Sequence, residues 1–163
     1  MAAQYFHEVQ KFKQWWLWVI LIFFNLIPIG GLVSKIQDPL SARASIAGLV
    51  VFLSTTLLLT LFFFLIKLET KVTSKNICLS FFPFGMNKEI EWNDIEKHEI
   101  INYGFVGGWG IRLGTKYGTV YNIKGKHGLS LELKDGTKML IGSQKSEELE
   151  YYLKSNSDAS YIG

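Results

Sequence analysis

The sequence has a single cysteine, Cys78, and few charged residues. A lone cysteine excludes an intramolecular disulfide framework and a zinc cluster built on cysteines. Charged residues make up 19% of the chain, below the roughly 25% typical of soluble proteins, and hydrophobic residues make up 48%. So apolar a composition excludes a disordered chain. The 17 basic and 14 acidic residues give a net charge of +3, which is too balanced to indicate nucleic-acid binding.

Charge is missing from two long stretches. Residues 15–33 contain no ionisable side chain over 19 positions, and residues 46–66 contain none over 21. Outside these stretches the charged share is about a quarter, as in an ordinary soluble domain. Helices of these lengths measure about 28 and 32 Å, enough to cross a hydrocarbon core of about 30 Å. The sequence therefore predicts two transmembrane helices, over residues 15–33 and 46–68.

Two alternatives explain these stretches less well. Core helices of a soluble protein normally keep a polar face, and neither stretch has an ionisable residue on any face. A cleaved signal peptide has a shorter apolar core, and the A-x-A-like sequence at 42–44 lies well past the end of the first stretch. We therefore expect the first helix to be retained.

The polar and aromatic residues of the two stretches fit a membrane environment. Trp15, Trp16 and Trp18 form a predicted interfacial belt at one end of the first helix. Asn25 and Pro28 interrupt the same helix, and hydrogen bonding between helices or a substrate path would each account for them. The absence of an intramembrane charge favours hydrogen bonding. Four hydroxyl groups of the second helix are available to it: Ser54, Thr55, Thr56 and Thr60.

The distribution of basic residues predicts the orientation of the hairpin. Five lysines flank the outer ends of the helices, whereas Lys35 and Arg43 are the basic residues of the connecting loop 34–45. Because basic residues are enriched on the cytoplasmic side, we expect both termini, including the segment 1–14, in the cytoplasm and the loop outside. The five flanking residues are Lys11, Lys13, Lys67, Lys71 and Lys75.

Residues 69–154 have the pattern of a β domain. Short runs of β-branched and aromatic residues alternate with turns, and ten of the fifteen glycines lie between Gly104 and Gly142. The dipeptide at 135–136 predicts a three-residue hairpin turn with Gly136 in the left-handed conformation. That turn pairs Leu131 with Met139, and it sets Glu132 opposite Lys138 on the other face.

The chain is expected to end in one helix and a short tail. Ser146 is a suitable N-cap, and Leu149, Tyr152 and Leu153 form an apolar stripe that can cover an open end of the β domain. Residues 155–163 are polar and aperiodic, which predicts a flexible tail. The expected fold is thus α+β, with a two-helix transmembrane hairpin, an antiparallel barrel or sandwich of about seven strands, and a capping helix. This is the plan of a pleckstrin-homology-like (PH-like) domain.

Several runs of the sequence resemble small bacterial membrane proteins that join a two-helix hairpin to a bacterial PH-like domain. The most specific are GGWGIR at 107–112 and LELKDGTKMLIGSQ at 131–144, and the resemblance covers most of residues 15–153. It implies the fold, attachment to the bacterial inner membrane and a cytoplasmic β domain. It implies no activity, because this group is largely of unassigned function. One departure is Ser146, where similar sequences often carry proline.

Catalytic motifs are scarce. The glycine-rich run at 104–110 matches neither a dinucleotide-binding fingerprint nor a P-loop. His7, His98 and His127 lie far apart without metal-ligand spacing, and Cys78 lies in an apolar strand run without a neighbouring base. The acidic residues between 89 and 99 alternate with apolar ones, as on a solvated strand face. The sequence therefore predicts neither an enzyme nor a metal or cofactor site.

Two sets of residues are candidates for function by contact. Trp109 and Arg112, flanked by glycines, suit a protein interface, and the alternative is a core tryptophan under a tight turn. Lysines near the second helix and on predicted loops are positioned to meet anionic lipid, and the alternative is solubility and snorkelling. These lysines are Lys67, Lys71, Lys75, Lys116, Lys124 and Lys126.

Two classes of function fit these observations. The first is a membrane-anchored interaction module whose PH-like domain binds a protein partner, a second copy of the chain or anionic lipid headgroups. The second is a structural subunit of an oligomeric membrane assembly, such as a pore or a transporter accessory.

Overall fold

A computed structural model of the protein describes residues 5–36 and 43–160. The chain divides into two compact units. One is a helical hairpin within Phe12–Leu65, and the other is a β domain formed by the residues before and after it. The connecting residues 37–42, and with them most of the predicted external loop, lie outside the described part of the chain.

The hairpin consists of helices α1 (Trp15–Ile36) and α2 (Arg43–Leu65). Helix α1 ends three residues beyond the predicted span, and α2 ends at Leu65 because Lys67 already belongs to a strand. Only 11% and 6% of the residues in their apolar segments are buried. Neither helix is therefore a core helix of the described chain, and both are long and apolar enough to cross a membrane.

In the described residues, the β domain has nine strands in two sheets, followed by helix α3 (Ser146–Ser160). The first sheet has the order β1-β2-β3-β4 and the second has the order β5-β8-β9-β7-β6. The strands are β1 (Tyr5–Lys11), β2 (Lys67–Thr73), β3 (Asn76–Phe82), β4 (Met86–Glu91), β5 (Ile95–Asn102), β6 (Gly110–Thr115), β7 (Gly118–Asn122), β8 (His127–Leu133) and β9 (Lys138–Ser143).

Strand β1 was not expected from the sequence, which assigned residues 1–14 to a cytoplasmic segment. It pairs antiparallel with β2 along its whole length, with Lys11 opposite Lys67. The hairpin is therefore inserted between two neighbouring strands of one sheet, and the β domain begins before the first helix rather than at residue 69.

The number of strands and the length of the last helix differ from the sequence prediction, whereas the β8–β9 hairpin agrees with it. The sequence predicted about seven antiparallel strands, but nine are present and β7 pairs parallel with β9. Helix α3 continues to Ser160, so most of the predicted tail from residue 155 is helical. The predicted β8–β9 hairpin is confirmed, since Leu131 pairs with Met139, Glu132 pairs with Lys138, and Gly136 has a φ of 83°.

The inner faces of both sheets supply the core. Leu68, Ile77 and Phe81 of the first sheet and Leu129 and Ile141 of the second are at most 1% exposed. Helix α3 adds Leu149 and Tyr152, two members of its predicted apolar stripe. Burial alternates along β1, β2 and β3, so the first sheet has one buried face. Strand β9 is buried on both faces, and Leu140 packs with Val120 and Tyr103 in a second small cluster.

Candidate functional site

The helical hairpin is connected to the first sheet where β1 ends and β2 begins. We call this end of the sheet the attachment end. Lys11 lies opposite Lys67, and Lys67 lies opposite Phe82, so the three residues form a row across β1, β2 and β3. The chain leaves the β domain after Lys11 and returns just before Lys67. Neighbouring strands are about 4.8 Å apart, so the two connections between the β domain and the hairpin start side by side.

Buried polar side chains fasten β1 to the second sheet. The Glu8 carboxylate is 5% exposed and accepts hydrogen bonds from the Ser143 hydroxyl at 2.6 Å and from the Gln144 backbone N–H at 2.8 Å. The Gln10 side chain, 2% exposed, donates to the Gly142 carbonyl at 2.6 Å. These bonds join β1, the strand that precedes α1, to residues more than 130 positions away in the sequence.

The loop between β7 and β8 lies next to these bonds. A Cβ at Gly125 would stand 3.2 Å from the Ser143 carbonyl oxygen, and the Tyr103 hydroxyl donates to the Gly125 carbonyl at 3.2 Å. Burial of this tyrosine raises its pKa, so the hydroxyl keeps its proton. The loop that carries Lys124 and Lys126 therefore lies next to Ser143, which bonds to Glu8 in the middle of β1.

Three exposed lysines of the β domain lack an ion-pair partner in the described part of the chain. Lys11, Lys124 and Lys126 make no ion pair with any residue in 5–36 or 43–160. Lys67 is half-buried and lies 3.4 Å from the Glu69 carboxylate. Strand pairing places Lys11 and Lys67 side by side at the attachment end, and Lys124 and Lys126 belong to the β7–β8 loop.

Glu69 is the acidic residue closest to this row. It lies 2.9 Å from the His7 ring nitrogen, and this hydrogen bond, with a smaller contribution from Lys67, holds the pKa of the carboxyl below its ordinary value. The carboxylate is thus ionised at neutral pH and offsets part of the charge of Lys67.

Two of the other predicted lysines lie along β2 and beyond it. Lys71 lies on the outer face of β2, with its ammonium 4.8 Å from the centre of the Tyr5 ring. Lys75 lies in the turn beyond Thr73, at the opposite end of β2, and Thr73 is about 20 Å from Lys67 at 3.3 Å per residue. Lys71 and Lys75 therefore lie progressively farther from the attachment end.

Lys116 lies in the turn between β6 and β7, stacked over the neighbouring Tyr117 ring at 4.8 Å. It lines a shallow depression together with Lys97 and Lys138, but these two are ion-paired with Glu99 and Glu132 at 3.2 and 2.9 Å. The depression therefore has little net positive charge, and the structure does not combine the six predicted lysines into one surface.

Trp109 directly precedes strand β6, and Arg112 lies within it. The Trp109 side chain is 39% exposed, which does not fit a core tryptophan. The Arg112 guanidinium lies against the backbone of Gly108, where a Cβ would stand 2.1 Å from its Nη2 atom. Phe105 and Leu113, which flank the pair in sequence, are 79% and 78% exposed. Exposed apolar side chains thus occur on both sides of the predicted interface pair, in and before the edge strand β6.

The three predicted belt tryptophans form the first turn of α1. Trp15 is exposed, and Trp18 donates from its indole nitrogen to the Phe12 carbonyl at 3.1 Å. The Trp18 ring also makes an edge contact with Phe64 of α2, with 6.3 Å between ring centres. Aromatic side chains from both helices therefore meet at the same end of the hairpin.

Two hydrogen bonds between polar side chains join the helices of the hairpin. The Asn25 amide donates to the Thr60 hydroxyl at 3.0 Å and accepts from the Thr56 hydroxyl at 3.0 Å. Ser54 and Thr55 donate to carbonyls of their own helix. Asn25 thus joins α1 to α2, as the hydrogen-bonding interpretation of this residue predicts.

Within residues 5–36 and 43–160, no group of three or more His, Cys, Asp or Glu side chains is arranged to hold a metal ion.

In comparisons with known proteins, the sequence matches no family model and no curated protein. The resemblance to bacterial PH-like membrane proteins therefore stays a prediction. The attachment end itself was missed by sequence reasoning, which used Lys11 only for orientation, because its position depends on the pairing of β1 with β2.

Proposed function

We propose that the protein is a membrane-anchored binding module. In this proposal, the hairpin crosses the bacterial inner membrane, and the PH-like β domain, on the cytoplasmic side, binds anionic lipid headgroups through its attachment end. The observation that carries the proposal is the insertion of the hairpin between the paired strands β1 and β2. Three residues connect β1 to α1 and one connects α2 to β2, so both tethers are short.

The tethers favour binding by the attachment end over binding by other surfaces. Two short connections hold Lys11 and Lys67 within a few residues of the helix ends, and hence close to the headgroups of a membrane that the helices cross. A lysine at an anionic membrane surface contributes about 1 kcal/mol. Lys11 would contribute about 1 kcal/mol and Lys67 less, because Glu69 offsets part of its charge. Lys124 and Lys126 would add about 1 kcal/mol each if their loop reaches the headgroups, and salt would weaken this attraction.

Hydrogen exchange of the full-length protein tests this function. The protein would be reconstituted in nanodiscs of neutral lipid and of a neutral and anionic mixture. We expect slower exchange over residues 123–127 with anionic lipid, and we expect added salt to reverse the difference. Replacing Lys124 and Lys126 with glutamine should abolish it, whereas the matched replacement of Lys75 and Lys116 should leave it unchanged. Equal exchange in both lipids would refute headgroup binding.

The alternative of a structural subunit in a pore is less well supported. The polar residues at the centre of the hairpin bond within one chain, so they do not need a second copy to satisfy their hydrogen bonds. Light scattering of the purified protein in detergent should therefore give the mass of a monomer. A stable oligomer would favour the assembly, and the exposed apolar side chains around Trp109 would then be the first to test for contact with a protein partner.

A further inference from the structure

The turn between β3 and β4 exposes aromatic side chains. Its sequence is Phe82-Pro83-Phe84-Gly85, and the two phenylalanines are 45% and 49% exposed. No charged residue occurs from Asn76 to Asn87, and the charges of this hairpin begin at Lys88 on β4. Two neighbouring exposed rings are a candidate surface for contact with an apolar environment.

The turn packs against the core of the β domain. The Phe84 ring packs edge-on against Phe81, with 5.0 Å between ring centres, and Phe81 is 1% exposed. Gly85 has a φ of 63°, a conformation that favours glycine and closes the turn. The core therefore supports the aromatic tip from beneath while both outer rings stay accessible.

The position of the turn indicates what covers it. Phe82 lies in the row with Lys11 and Lys67, at the attachment end. Aromatic rings between apolar and charged surroundings are typical of the membrane interface, and nearby lysines suit the headgroups above it. The turn thus lies one strand away from the tether that enters β2 at Lys67.

We propose that this turn inserts the Phe82 and Phe84 rings into the interfacial layer of the bilayer that the hairpin crosses. The inference rests on the proposed function, since it requires a membrane-spanning hairpin. It adds a third point of membrane contact to the two tethers.

Spin-label accessibility of the full-length protein in nanodiscs tests the proposal. In a Cys78→Ser background, single cysteines at residues 84, 87, 51 and 135 would carry a nitroxide. Residue 87 reports on the turn with both phenylalanines intact, Val51 is an exposed residue of α2, and Asp135 lies in the β8–β9 turn. Collision rates with oxygen, which enters lipid, and with a water-soluble nickel complex give the depth of each label.

We expect the ratio of oxygen to nickel collisions to be highest at residue 51 and several-fold higher at residue 84 than at 135. The label at 87 should move toward water when Phe82 and Phe84 are both replaced by serine. If residue 84 matches 135 while 51 lies in lipid, this inference fails and the anchor stands. If 51 is aqueous, the proposed function fails as well. A label at 84 shielded from both reagents would indicate a protein contact and also overturn the inference.

Discussion

The buried carboxylate of Glu8 provides a sensitive test of how the hairpin is built into the β domain. Replacing Glu8 with alanine removes the acceptor of two hydrogen bonds, at 2.6 and 2.8 Å, from Ser143 and Gln144. The two donors would be left without this partner at a site where the carboxylate is 5% exposed. Strand β1 would then lose its main polar attachment to the second sheet.

The magnitude follows from these two bonds. A hydrogen bond to a charged group contributes about 1.5 to 3 kcal/mol, and removing the buried charge recovers part of that amount. We therefore expect Glu8→Ala to destabilise β1 by about 2 to 4 kcal/mol, and Glu8→Gln, which keeps one acceptor oxygen, by about half as much. His7→Ala is the matched control, because His7 is exposed on the other face of β1 and a surface pair contributes at most about 1 kcal/mol.

Hydrogen exchange of the full-length protein in micelles measures this difference. Each 1.4 kcal/mol corresponds to about a tenfold change, so amides of β1 should exchange about 30 to 1,000 times faster in Glu8→Ala. Residues 142–145 should be affected with them, because they form the other side of the contact. Two results would contradict this expectation: the same exchange rates in Glu8→Ala as in His7→Ala, or faster exchange in β1 without faster exchange in residues 142–145.

Three further substitutions test separate parts of the account. A Cβ at Gly118 would stand 1.9 Å from a backbone carbonyl oxygen of β9, so Gly118→Ala should lower the thermal unfolding temperature far more than Gly114→Ala, which has a similar positive φ and open space. Asn25→Leu should weaken the contact of α1 with α2 by about 0.6 to 2 kcal/mol in a helix-association assay, whereas Ser54→Ala should have little effect. The lowered pKa of Glu69 means that its small stabilisation is present above its ordinary value of 4.5 and is lost as the pH falls through the folded-state pKa. Acid unfolding curves of Glu69→Gln should therefore converge with those of the unmodified protein at low pH, and a constant offset would contradict this assignment.

The local features of the fold were predictable from the sequence. The β8–β9 hairpin follows from a turn dipeptide and from alternation over a few residues on each side, and its register is as expected. The two apolar helices follow from length and composition alone. In each case the interactions that decide the structure lie close together in the chain.

Strand β1 was not predictable because its pattern is opposite to that of an ordinary amphipathic strand. Glu8 and Gln10 are buried, whereas Tyr5 and Val9 are 48% and 44% exposed. The buried polar groups are stable only because they bond to residues 142–144, which local sequence does not reveal. A fragment that begins at Glu69 would therefore lack a strand of the domain.

The candidate site was predicted only in part for the same reason. Lysines on loops were recognised as candidates, but their grouping depends on strand order and on contacts between distant segments. Pairing brings Lys67 into one row with Lys11, whereas Lys75 lies at the opposite end of the same strand. The aromatic turn was not considered a site because only its place in the sheet indicates a role.

The central claim is that the β domain faces the membrane with its attachment end. Energy transfer to headgroup acceptors in nanodiscs measures this most directly, with a donor at residue 127 or at residue 135 of full-length protein that carries Cys78→Ser. The account predicts stronger transfer from residue 127, beside the lysine loop, and an increase when anionic lipid is added. Equal transfer from the two positions, or stronger transfer from residue 135, would contradict it.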